Sequence, residues 1–231
     1  MLDDDHCGPT GLVAAVLGRR AIGVEAGPRD WQAALLPEEE PMVARAIDRR
    51  RREVAAGRSC ARRALAMLGA APAALPADPD RVPRWPDGVV GTITHTRDFC
   101  AAAVAWQRDL RGLGLDAERA IASSREEVMR LVATTTEAQW LAGLDEAERA
   151  LGSALVFSAK EALYKCQFPV TRQMLDFHDV ELALEQSPTL SGAGDLTAAF
   201  RPGKRAAGLP PVTARYAIAG DLVVTAAFLA A

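Results

Sequence analysis

The chain has 231 residues, 49% of them hydrophobic, which supplies a sizeable core and excludes intrinsic disorder. A formal net charge of −3 excludes a uniformly basic nucleic-acid binder, and no apolar run approaches the roughly 18–20 residues of a bilayer-spanning helix. The opening MLDDDHCGP lacks a basic leader, and Cys7, Cys60, Cys100 and Cys166 are scattered, so reduced thiols, a cytoplasmic setting and no membrane or nucleic-acid partner are expected.

Taken in chain order, LVAAVLG and AIGVE within residues 1–30 read as strands or extended segments. Residues 37–68 read as helical, since Pro37 followed by Glu38, Glu39 and Glu40 resembles a helix start. Gly57 is a candidate break inside it. The arginine-rich run of residues 44–63, relieved by Asp48 and Glu53, is either a solvated basic face or a surface for phosphates or an acidic partner. Arg51, Arg58 and Arg62 fall close to one helical face, with Arg50 bordering it. Residues 71–88 are proline-rich and predict an extended loop.

Strands are predicted over 89–95, 99–106 and 110–118, separated by short polar turns as in an antiparallel meander. Residues 123–166 read as mainly helical, with Ser124 and Glu127 as a capping box and 145–166 as a long helix. Beyond Pro169, strands are predicted over 179–185, 195–201, 213–219 and 221–230, with a hairpin turn at Ala219-Gly220-Asp221. Helix-then-meander thus occurs twice, which predicts an α+β fold of two halves, residues 1–115 and 116–231.

Several constellations carry possible chemistry. In GLGLDAERA, Asp116 and Glu118 point to one face of a strand, and Gly112 and Gly114 leave that face open beside them. Two close carboxylates repel unless something positive lies between them, and oxygen ligands suit Mg²⁺ or Mn²⁺. The competing reading is a strand end with solvated acids. In FSAKEALYK, Lys160, Glu161 and Lys165 fall along one flank of an apolar helical stripe, either as a surface ion pair or as groups for a metal and a phosphate chain. Thr94, His95 and Arg97 stand around a turn that could hold an anion. No GxxxxGK[ST], HExxH, GxSxG or GxGxxG motif is present.

The order of these elements resembles a 4′-phosphopantetheinyl transferase of the Sfp type: an arginine helix with GRSCAR, then WPDGVVGTITH, then GLGLDAE, then FSAKEALYK. The resemblance runs from about residue 37 to 180. It implies two similar α+β subdomains in pseudo-twofold arrangement, with coenzyme A in the cleft between them. It further implies Mg²⁺-dependent transfer of the phosphopantetheine arm to a serine of an apo acyl or peptidyl carrier protein, by a monomer.

Position by position, the resemblance assigns the metal to Asp116, Glu118 and Glu161, with the Ala117 backbone orienting a water. It makes Glu161 the base towards the carrier serine. Lys160 and Lys165 contact phosphate, and Lys165 also stabilises the leaving group. Thr94 and His95 hold phosphate groups, Arg50 and Arg58 grip the nucleotide end, and Leu175 lies near the pantetheine arm. Phe157 and Ala162 stand where the motif often has Trp and Ser. Ala77 stands where some members place a lysine, with Arg81 and Arg84 nearby. The alternatives are a non-catalytic coenzyme A-binding module and another Mg²⁺-dependent phosphotransferase.

Overall fold

The computed structural model describes residues 10–120, 126–184, 191–200 and 212–231. The expected capping Ser124 lies outside them. The first element is a helix, α1 (Leu12–Leu17), where an extended segment was expected. Leu12, Val13, Val16 and Leu17 are buried at helical spacing. The deciding group comes from strand β1 (Ile22–Glu25): the Glu25 carboxylate accepts from the Gly11 N–H at 3.3 Å and the Val13 N–H at 2.9 Å. It thus gives first-turn amides an acceptor that α1 cannot supply itself.

Helix α2 (Asp48–Leu68) begins later than the sequence suggested. Glu40–Val43 forms a separate 3₁₀ turn, and Ile47 is extended with ψ 157°. Glu39 is not in a helical first turn. It is fully buried, where it accepts from the Leu36 N–H at 3.0 Å, the Leu75 N–H at 3.0 Å and Arg62 at 2.9 Å. Gly57 does not break α2. A Cβ there would lie 2.7 Å from Ile93 Cγ2, so the glycine lets the helix press onto the next strand.

Strands β2 (Val89–His95) and β3 (Cys100–Trp106) pair antiparallel as expected, and β1 adds on the other edge of β3 to give the order β1-β3-β2. The meander ends there. Strand β4 (Leu110–Arg119) does not pair with β3 but joins a second sheet, so the predicted seam between residues 115 and 116 would cut one continuous strand. Side chains bridge the sheets instead: Thr92 Oγ1 accepts from the Leu115 N–H at 3.1 Å, and Thr94 Oγ1 from the Ala117 N–H at 3.0 Å.

The second half contains α3 (Glu126–Val132), α4 (Thr135–Ala142) and the long α5 (Glu146–Thr171). Helix α5 is capped by Asp145, runs on through Pro169 and ends at Arg172, whose left-handed φ of 55° turns the chain. It packs on a five-stranded antiparallel sheet of order β4-β8-β7-β6-β5, with β5 (Val180–Ala183), β6 (Ser191–Phe200), β7 (Val212–Ala219) and β8 (Leu222–Ala230). The β7–β8 hairpin turns at Gly220-Asp221, with Gly220 at φ 57°. The architecture is α+β, with a long helix on an antiparallel sheet in each half. Cys60, Cys100 and Cys166 are free and buried.

Candidate active site

The face carrying Asp116 and Glu118 is not open. A Cβ at Gly114 would lie 1.8 Å from the Ala162 carbonyl oxygen, and one at Gly112 would lie 2.3 Å from that of Cys166. The glycines let α5 lie directly on β4, which brings the Lys165 ammonium 2.7 Å from Asp116 Oδ1. Asp116 is buried, and its Oδ1 also accepts from the Thr94 hydroxyl at 3.3 Å. Its second oxygen, Oδ2, is buried without a hydrogen-bond partner. A buried orphan carboxylate oxygen is costly and suits a cation.

Glu161, one turn before Lys165, is half-buried. Burial raises its pKa, Lys165 opposes this, and the charges of Asp116 and Glu118 raise it further. Glu161 therefore feels both of the other predicted metal carboxylates. Among the described residues, no three His, Cys, Asp or Glu side chains form a ready-made cage. The Ala117 N–H is committed to Thr94, so it is no donor to a metal-bound water.

Beside these groups a cleft of about 790 Å³ opens between the halves. Arg50, Glu53 and Arg58 of α2 and His95 of β2 line one wall, and Tyr164 and Lys165 of α5 the other. The proline-rich segment closes one end, where its Asp78 and Asp80 pair with Arg172 at 2.7 and 3.1 Å. Arg81 lines the same rim in a left-handed conformation, φ 68°. A second pocket of about 250 Å³ lies across Tyr164 and includes Glu161, Met174, Leu175 and Phe177. Tyr164 lines both cavities, so Lys165 faces the first and Glu161 the second.

Not every expected residue reaches the cleft. Lys160 is turned inward and buried, 2.7 Å from Glu137 Oε2, and it donates to the Val132 and Phe177 carbonyls, both at 2.8 Å. It is a structural cation, not a phosphate ligand. Thr94 is likewise buried between the sheets, its hydroxyl spent on Ala117 and Asp116. Arg51 is paired with Glu40 and Arg62 with Glu39, so only Arg50 and Arg58 of the arginine face line the cleft. Arg58 is itself buried, with its Nε donating to the Leu75 carbonyl at 2.7 Å, and burial lowers its pKa against the pull of Glu39.

His95 is half-buried, with Nε2 2.6 Å from Arg50 Nη1. Burial lowers its pKa although Glu53 pulls the other way, so the ring is neutral near pH 7. Sequence reasoning passed over Glu53, Tyr164 and Glu137. Only Glu53 carried a signal, as one of two carboxylates, with Asp48, inside an arginine run.

Residues 38–105 match the model of the 4′-phosphopantetheinyl transferase N-terminal domain, and residues 112–219 that of the 4′-phosphopantetheinyl transferase superfamily. The chain is 39% identical to 4′-phosphopantetheinyl transferase Svp of Streptomyces mobaraensis, over 95% of this chain and 90% of that protein. It is 36% identical to Npt of Nocardia iowensis, covering 86% and 90%. It is 33% identical to PptT of Mycobacterium tuberculosis, covering 84% and 86%.

Proposed function

Because the chain belongs to the 4′-phosphopantetheinyl transferases, we infer that it moves the phosphopantetheine arm of coenzyme A onto a serine of an apo carrier protein. The by-product is adenosine 3′,5′-bisphosphate. The observation that carries the residue assignment is the cleft between the halves, lined by Lys165, whose ammonium lies 2.7 Å from the buried Asp116 with its orphaned second oxygen.

The cleft of about 790 Å³ suits the nucleotide and diphosphate of coenzyme A; Arg50 and Lys165 supply donors for its phosphates, with His95 beside Arg50 in the same wall. Mg²⁺ would be held by Asp116 Oδ2 with at most one further carboxylate, from Glu118 or Glu161, and would neutralise diphosphate charge there. Leu175 and Phe177 form an apolar wall beyond Tyr164 that suits the pantetheine arm.

Glu161 is the base. Its burial favours taking up the proton of the carrier serine, and it lies on the opposite side of Tyr164 from the phosphate cleft. The serine oxygen then bonds to the pantetheine-side phosphorus as the diphosphate P–O bond breaks. The departing phosphate of the bisphosphate gains negative charge, which the Lys165 ammonium stabilises. Both cleft walls come from one chain, which supports a monomer, and the buried free thiols support a reducing, cytoplasmic setting. Among the described residues no helix is long and apolar enough to cross a membrane.

The test is the intact mass of apo carrier proteins of fatty-acid, polyketide and nonribosomal peptide type after incubation with the protein, coenzyme A and Mg²⁺. One added phosphopantetheine arm, lost with EDTA, is the expected result. No gain on any carrier, with coenzyme A still bound, would leave only a binding module.

A further inference from the structure

Glu53 poses a problem. It is a carboxylate in the wall of a cleft read here as binding a polyanion, and its side chain is only 10% exposed. Simple electrostatics says that such a group should weaken binding of the ligand. Its neighbours suggest why it is there. One Glu53 oxygen lies 3.3 Å from Arg50 Nη1 and 3.7 Å from His95 Nδ1, and the other lies 3.6 Å from Arg49 Nε. Arg50 Nη1 in turn meets His95 Nε2 at 2.6 Å. A guanidinium can only donate, so Nε2 is the acceptor and the ring proton of neutral His95 sits on Nδ1, on the side of Glu53. From the other wall, Lys165 and Asp116 also bear on the ring, and that pair is already joined at 2.7 Å.

Three groups from two elements therefore form a closed triangle at the cleft. Arg50 has a half-exposed side chain on a helix surface and would otherwise sample many rotamers in water. Resting on the proposed function, we propose that Glu53 is a positioning residue. It braces Arg50 directly and, by holding the His95 tautomer that leaves Nε2 as an acceptor, keeps the guanidinium fixed, so that Arg50 presents its remaining N–H groups in one preformed pose to a single phosphate of coenzyme A. The charge penalty of the carboxylate is smaller than the gain from not having to order the long Arg50 side chain when the ligand arrives.

The sign of one substitution separates the two views. In Glu53→Gln of the full chain, calorimetric titration with coenzyme A should show binding weakened about tenfold, as expected for loss of a charge-assisted brace. The KM for coenzyme A should rise in parallel, with kcat at saturation nearly unchanged. In a His95→Ala background the same change should cost much less, because one braced partner is gone. Tighter or unchanged binding in Glu53→Gln would overturn the proposal, as would full additivity with His95→Ala. If Glu53→Gln does not fold, Glu53→Asp keeps the charge but shortens the reach. It should also weaken binding, and unchanged affinity would overturn the brace. Wild-type protein that transfers no arm and binds no coenzyme A would instead defeat the functional reading on which this rests.

Discussion

Two residues show how chemistry is written into single positions. Gly114 sits under α5, and alanine there would place its Cβ 1.8 Å from the Ala162 carbonyl. Gly114→Ala should cost about 3 kcal/mol, a fall of roughly 6–12 °C in Tm, because neither strand nor helix backbone can yield easily. A thermal melt decides this, and an unchanged Tm would mean that the two elements do not lie so close. Glu161 is the opposite case, a residue whose local environment works against it. Burial holds its folded pKa above the ordinary carboxylate range. A raised carboxyl pKa favours folding below the unfolded value, and that contribution is lost as pH rises through the folded pKa. In EDTA, Glu161→Gln should therefore be more stable than wild type near pH 7, the advantage vanishing in acid. Transfer should meanwhile fall by about 10²–10⁴-fold. Carrier labelling and paired melts at two pH values test both halves of this, and retained turnover would remove Glu161 from the role of base.

At the level of elements, the Lys160–Glu137 pair ties together five segments: α3, α4, α5, the turn at Phe177 and β5. Glu137 caps α4 by accepting from the Thr134 N–H at 2.8 Å, and its other oxygen accepts from the Leu182 N–H, also at 2.8 Å. Lys160 fills the remaining space and donates to Val132 and Phe177. Every donor of the ammonium is used, so the burial of both charges is compensated. Lys160→Met should destabilise by about 3–5 kcal/mol, because it strands a buried carboxylate. Lys160→Met with Glu137→Leu should recover only part of that, since the Thr134 and Leu182 amides lose their acceptor. Urea titrations of the three proteins measure it, and equal stability of single and double variants would reject the network. The sequence made α5 legible, because its apolar stripe and Asp145 cap are local. It could not say which way Lys160 turns. That depends on Glu137, 23 positions away by number (160 minus 137), and on a loop beyond the helix end. The early helix α1 was misread for the same reason, since the carboxylate that caps it arrives from β1.

At the scale of the whole molecule, the doubling of helix and sheet was readable, but the seam was not. Alternation within 110–118 predicts a strand without naming its partner, and β4 pairs with β8, more than 100 positions later, in preference to β3. What joins the halves is apolar as well as polar. Leu12, Val16, Ala101 and Ala103 of the first half share one buried cluster with Leu113, Leu115, Val224 and Phe228 of the second. The threonine bridges and the clasp from Arg172 to Asp78 and Asp80 add to that contact. Exposing this shared face would cost more than either half gains by independence, since each buried aliphatic side chain contributes about 1.5–3 kcal/mol. Unfolding should therefore be one cooperative event, with calorimetric and van't Hoff enthalpies in agreement. Because both halves line the cleft, saturating coenzyme A should raise that single transition as a unit. Two resolved transitions, of which coenzyme A moves only one, would show that the halves fold separately and that the ligand is held by one wall alone.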